Sequence, residues 1–210
     1  MVAGLTKPDS GDVVIGAKAI QGPGPDRGVV FQSPSLLPWA SALENVLLAV
    51  RQARPHASKA EQRSGAEANL VAVGLGDAMH RRPAALSLGM QQHVGLARAF
   101  ALSPKVLLLD EPFGMLDSVT RVELQEVLTK TWTKHRTTAL MVTHDVDEAI
   151  MLADRVVLMT RGPRAKVGAV LHSPFERPRS RAEVLHDPRF LELRRQVLEF
   201  LHEQAPAPTA

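Results

Sequence analysis

The feature that most constrains this chain is the run Val106-Leu107-Leu108-Leu109-Asp110-Glu111-Pro112, four aliphatic residues ending in two carboxylates and a proline. An unbroken apolar run suits a strand covered on both faces, the pattern of a parallel sheet sandwiched between helices. The run is therefore expected in mid-sheet. Its carboxylates then lie at the carboxyl end of a central strand, where ligands bind in open α/β sheets. Asp110 can hold Mg²⁺ there, directly or through water, and Glu111 can polarise a water that attacks a γ-phosphate. The same residues also read as a solvated strand end, and helicases carry such a pair too.

Elsewhere, apolar β-rich runs alternate with helical patterns, the order that a parallel sheet with crossover helices produces. Strands are expected at 12–15, 28–31, 106–109, 138–142, 155–159 and 167–171. Between the second and third, residues 42–54, 59–73 and a segment opening near Gly89 show helical periodicity only. Residues of about 41–103 thus read as a helical insertion into an α/β core. A further helix is expected at 147–153. Pro188, ahead of Phe190, Leu193, Val197 and Leu201 at helical spacing, marks a helix start within a C-terminal helical extension of about 182–203. The Pro/Ala-rich end, 205–210, is expected to be disordered, leaving one domain over 1–204.

With 45% hydrophobic and 22% charged residues, the composition is that of a soluble globular chain. No apolar run reaches the ~18–20 residues of a membrane-spanning helix, so any membrane association is expected to be peripheral. Residues 1–7 lack the basic start and apolar stretch of a secretory signal, and the absence of cysteine excludes a disulfide framework. A cytoplasmic location is the expectation. The net charge of +3 and pI of about 9.6 arise from residues scattered among Glu- and Asp-bearing segments. They read as a solvated basic surface and not as a nucleic-acid footprint.

Three further segments carry chemistry. Leu86-Ser87-Leu88-Gly89-Met90-Gln91-Gln92 precedes a helical pattern, so Ser87 and Gly89 offer a hydroxyl, backbone N–H groups and the positive end of a helix dipole to an anion. An ordinary N-cap is the other reading. Gln32 ends a strand and leads into Ser33-Pro34-Ser35-Leu36-Leu37-Pro38-Trp39. The glutamine can reach a metal-bound water, and the apolar loop invites a protein partner; a turn with a buried Trp fits the same residues. His144, in Val142-Thr143-His144-Asp145, can donate to a γ-phosphate or serve a structural role. The other histidines, His80 and His93 among them, show no metal-ligand spacing and read as surface or packing residues.

In this order and spacing the segments resemble the nucleotide-binding domain of the ABC transporter family. Gln32 matches its Q-loop, 86–90 its signature motif, 107–111 its Walker B strand, Gly114-Met115-Leu116-Asp117 its D-loop and His144 its switch histidine. Within the family, Val30-Phe31-Gln32 with Leu36-Leu37-Pro38-Trp39, Asp110-Glu111-Pro112-Phe113-Gly114 and 143–149 are similar to importers of nitrate, nitrite, cyanate and alkanesulfonates. Thr160-Arg161-Gly162-Pro163 and 174–179 are most similar to the nitrate branch. The resemblance implies a P-loop NTPase-like α/β core with a helical signature subdomain, acting as a dimer on ATP and Mg²⁺. It spans about 3–202 but begins partway into the family's domain, so the phosphate-loop strand and its helix are expected upstream of Met1.

The chain departs from the family at three points. A phosphate loop, G-x-x-x-x-G-K-[ST], needs lysine followed by Ser or Thr; only Lys130 qualifies, and Thr129 stands where its glycine should be. Gly22-Pro23-Gly24-Pro25 is no substitute, because prolines lack the N–H groups of such a cradle. Leu88 replaces a usual glycine, where a side chain obstructs close approach or a positive φ, and His93 replaces a common arginine.

By resemblance, Glu111 and His144 are the catalytic residues, and Gln32, Ser87, Gly89, Met90, Asp110 and Asp117 bind or couple nucleotide. Asp110 and Gln32 approach Mg²⁺. Leu36, Leu37 and Trp39 face transmembrane permease subunits at the cytoplasmic face of the membrane, and a second ATP-binding subunit completes the pair. Without the phosphate loop, turnover by this chain alone is not expected. A shortened form of a working ATPase, a degenerate partner of a complete subunit and a non-functional remnant all remain open; the retained Asp110, Glu111 and His144 favour the first. From other classes, a non-transport ABC ATPase acting on nucleic acid and a pure interaction protein are the alternatives. The missing strand would be interior to the family's sheet, so two unpaired edges and poor solubility are expected.

Overall fold

A computed structural model describes residues 1–204; the tail expected to be disordered, 205–210, lies outside the described residues. The chain forms two compact units, residues 1–142 and the part from Thr143 onward.

The first unit opens with a short antiparallel ribbon, β1 (Val14–Ile15) and β2 (Lys18–Ala19). The turn residues Gly16 and Ala17 both have positive φ, 55° and 64°, the backbone that matches the twist of a two-residue hairpin. The strand expected at 12–15 therefore belongs to this ribbon and not to the parallel sheet. That sheet is β3 (Arg27–Val30), β4 (Val106–Asp110) and β5 (Thr138–Val142), all parallel, with β4 in the middle. Leu107, Leu108 and Leu109 are buried, as the unbroken aliphatic run requires.

Between β3 and β4 lie α1 (Ala42–Ala53), α2 (Lys59–Ala72) and α3 (Leu88–Ala101). Ser41 with Glu44 and Ser58 with Glu61 form capping boxes that start α1 and α2. Gly74, at φ 78°, ends α2: its N–H donates to Val71 O and that of Leu75 to Leu70 O, a Schellman closure. Val46, Ala66, Leu70, Val94, Ala97 and Phe100 bury the shared apolar faces; each large side chain contributes about 1.5–3 kcal/mol of transfer free energy. A long helix, α4 (Ser118–His135), connects β4 to β5. It carries Val119, Thr120, Val122, Val127, Thr129, Thr131 and Thr133, β-branched residues of low helix propensity, which is why its pattern is weak in the sequence.

The second unit contains α5 (Val146–Leu152), β6 (Arg155–Met159), β7 (Val167–His172), α6 (Arg181–His186) and α7 (Pro188–Glu203). β6 and β7 are antiparallel, because the connection between them is too short to hold a crossover helix. Ile150, Met151, Phe175, Val184, Phe190 and Leu193 form its core. Of the stripe expected on α7, Phe190, Leu193 and Val197 are buried, whereas Leu201 is 43% exposed. Arg179 and Arg177 close the C-terminus of α5: Arg179 donates to Met151 O and Ala153 O, Arg177 to Leu152 O, and both pair with Asp154.

Among the described residues no strand pairs with the outer edge of β5, and its side chains Leu140 and Val142 are 47% and 56% exposed. On β6, Val157 and Met159 are about half exposed as well.

Candidate functional site

β4 delivers Asp110 as its last residue, where the ladder with β5 ends opposite Val142. The next residue leaves the strand sharply. Glu111 adopts φ 44°, its N–H donates to Val142 O at 2.9 Å, and its carbonyl accepts from the Gly114 N–H at 3.1 Å. A left-handed backbone at a non-glycine costs about 1–2 kcal/mol. The turn holds it, and the carboxylate is brought beside the end of β3, where the Gln32 Nε2 donates to Glu111 Oε2 at 3.1 Å. Gly114 leaves room for this pair, since a Cβ there would lie 3.3 Å from Gln32 Nε2 and 3.4 Å from Glu111 Oε2. Asp110, Glu111 and Gln32 thus gather at the carboxyl end of adjacent strands.

Ser87 is the N-cap of α3, its Oγ accepting from the Met90 N–H at 3.2 Å. Leu88 is the first helical residue and is absent from the positive-φ positions, so its backbone strains nothing. Gly89 is buried against α4: a Cβ there would come within 2.3 Å of Thr120 Cγ2. Asp117 caps α4 by accepting from the N–H groups of Val119 and Thr120 and from the Thr120 hydroxyl at 2.7 Å. The Thr120 hydroxyl and these amides hold the Asp117 carboxyl below the usual carboxylate range. His93 Nδ1 donates to Val73 O at 2.7 Å and packs α3 on the end of α2. Burial pushes its imidazole pKa down, against that hydrogen bond.

Trp39 is exposed and Leu36 and Leu37 are half-buried. Their loop is held from behind by Asn45 of α1, fully buried, which accepts from the Leu37 N–H and donates to Leu37 O, Ala40 O and Ser41 O. Arg98 of α3 donates to Pro34 O and Ser35 O. His144 is exposed and belongs to the second unit, next to Asp145, the N-cap of α5.

Among the described residues no cluster of three His, Cys, Asp or Glu could hold a metal. One strand-end carboxylate and one amide suit a Mg²⁺ that arrives with a nucleotide and takes most of its ligands from phosphates and water. They do not form a protein cage. For the triphosphate itself, the sequence supplies no lysine-bearing glycine loop.

Asn45 and Arg98 were not legible as residues that hold the loop after Gln32. Each acts by side-chain bonds to carbonyls of that loop, a role that leaves no local sequence pattern.

Residues 1–114 match the ABC transporter family. The chain is 54% identical over 204 residues to a nitrate import ATP-binding protein, NrtD, of Synechococcus elongatus, covering 97% of this chain and 74% of the relative. It is 50% identical to a bicarbonate transport ATP-binding protein, CmpD, of Synechocystis sp., over 97% and 72% of the two chains. It is 49% identical to the nitrate transport protein NasD of Klebsiella oxytoca, over 98% and 79%. Its fold is similar to that of a dimeric post-hydrolysis ATP-binding cassette bound to ADP and Pi, with a TM-score of 0.70 at 30% identity, covering 83% of this chain and 78% of that one. With the strand-end carboxylates, the Gln32 contact and the capped signature helix, these likenesses identify the chain as a member of the ABC transporter family.

Proposed function

We propose that the chain is the ATP-binding subunit of an importer for a small inorganic anion, with nitrate or nitrite as its substrate. The hydrogen bond between Gln32 and Glu111 beside Asp110 supports this most directly, because it gathers the groups needed for phosphoryl transfer to water at one sheet end. The identity to nitrate import and nitrate transport proteins supports the substrate. Bicarbonate is the second reading, favoured by the 50% identity to a bicarbonate transport protein.

In this role Asp110 holds the cation and Glu111 orients the attacking water and takes up its proton. When bound, Mg²⁺ would supply positive charge against the phosphate oxygens. Gln32 links hydrolysis to its loop, and Asp117 couples the two subunits. Ser87, Gly89 and Met90 present the start of α3 to a nucleotide held by the second subunit. The exposed Trp39, with Leu36 and Leu37, seats on the permease at the cytoplasmic face. No described helix is long and apolar enough to cross a membrane. Lending a signature to a complete subunit is the narrower alternative.

Deleting the chain in its host is expected to abolish uptake of labelled nitrate and growth on low nitrate, with growth on ammonium unchanged. Glu111→Gln restored in its place should leave uptake lower by about 10²-fold or more at normal protein abundance. Intact nitrate uptake with lost bicarbonate uptake would transfer the assignment to bicarbonate; loss of neither would sink the importer.

A further inference from the structure

We propose that Gln92 is a positioning residue that fixes the backbone on both sides of the Gln32–Glu111 pair and ties it to the helix carrying Ser87, Gly89 and Met90. The inference rests on the reading of that pair as the nucleotide-facing site.

Gln92 lies on α3, five residues after Ser87, and is 1% exposed. Its amide nitrogen donates to three carbonyls from two different loops. Phe31 O and Gln32 O, both at 3.0 Å, lie before and at the glutamine, and Pro112 O, at 2.9 Å, follows Glu111 directly. Two hydrogens therefore serve three acceptors, one of them shared. The orientation of the amide is dictated by its neighbours: turned over, its oxygen would face three carbonyl oxygens. Oε1, buried, has no hydrogen-bond partner among the described residues and faces Gly95, where a Cβ would lie 3.6 Å away.

An amide buried with its oxygen unpaired is a poor choice for packing, since an apolar side chain of equal volume would carry no such penalty. What the amide supplies is its donor side. Phe31, Gln32 and Pro112 belong to segments about 80 residues apart in sequence, and the Gln32 contact to Glu111 is side chain to side chain and exposed. Gln92 sets the backbone spacing across which that exposed contact must reach. Arg98, further along α3, holds Pro34 O and Ser35 O, so one helix grips the Gln32 loop at four carbonyls but grips Pro112 through Gln92. A rotation of α3 that reseats Ser87, Gly89 and Met90 thus pulls Gln32 and the residue after Glu111 together.

Amide hydrogen exchange on the 210-residue chain tests this, with no nucleotide present. Gln92→Met keeps the volume and removes the donors; exchange over 31–36 and 111–116 is expected to rise about tenfold or more while α1 and α2 stay within about twofold. Gln92→Glu should loosen both segments at pH 8 and less at pH 5, after correction for intrinsic rates, because a protonated carboxyl regains one donor. Arg98→Met should loosen 33–36 and leave 111–116 unchanged. Unchanged loops in both Gln92 variants, an even rise across α1, α2 and α3, or a pH-independent Gln92→Glu would each overturn the positioning role. Loss of the importer reading in the host experiment would leave the exchange result standing, so the two failures are distinguishable.

Discussion

Gly89 has no room for a methyl group, because the position a Cβ would take is filled by Thr120 Cγ2 at 2.3 Å. Gly89→Ala is expected to destabilise the chain by about 1–3 kcal/mol through overpacking. Thr120→Ser removes the obstructing methyl and keeps the hydroxyl that Asp117 accepts, so the double variant should recover most of the loss in a urea-unfolding cycle. His93 makes a second residue-scale prediction. Its folded-state pKa is lowered by burial. The unfolded chain therefore takes up a proton near pH 6.5 that the folded site refuses until lower pH, so stability is full above about pH 6.5 and declines as pH falls through the lowered value. His93→Gln, which keeps a donor for Val73 O, should flatten the fall in melting temperature between about pH 7 and 5 relative to the parent. An equal slope in both proteins would remove His93 as the cause.

Gly74 closes α2 in a left-handed conformation that alanine adopts poorly. Gly74→Ala should cost about 1 kcal/mol in urea unfolding, and Gly74→Asn less. The starts of this helix and of α1 are read at 59 and 42 from helical periodicity, and the Ser-x-x-Glu caps that the structure shows there fix them locally, without a tertiary partner. β5 and β6 were read with the ends they have, and β4 within one residue, since an apolar run between polar breaks marks a strand whether it is buried, as β4 is, or largely exposed, as β5 is. α4 went unread because its β-branched residues contradict its conformation, and the long packing surface around Leu124, Leu128 and Thr131 overrides them. The strand pairing of 12–15 and the antiparallel β6–β7 hairpin were not legible, because a lone strand pattern does not reveal its partner. At the site, Asp110, Glu111 and Gln32 were found as strand-end residues, yet the buried donors behind them were not. Strand ends are written in contiguous sequence; Gln92 meets its acceptors only after the sheet has formed.

The chain is divided between two compact units, and among the described residues the sheet of the first ends at β5. β5 reads Thr-Ala-Leu-Met-Val, without a charge, a proline or a bulge to discourage pairing, and Leu140 and Val142 stand about half exposed. Natural edges seldom leave such a template open. Poor solubility is therefore expected of the isolated 210-residue chain, and Leu140→Lys should raise its soluble fraction several-fold in a centrifugation assay without lowering the helical circular-dichroism signal. A parent that stays wholly in the supernatant at high concentration, with Leu140→Lys no more soluble, would contradict this. The open β5 edge has a consequence for the living cell as well. In cells that express these 210 residues alone, the short uncharged stretch beside His135 and Arg136 is expected to recruit holdases and proteases, so abundance there should follow the supply of whatever pairs with that edge more closely than it follows thermal stability.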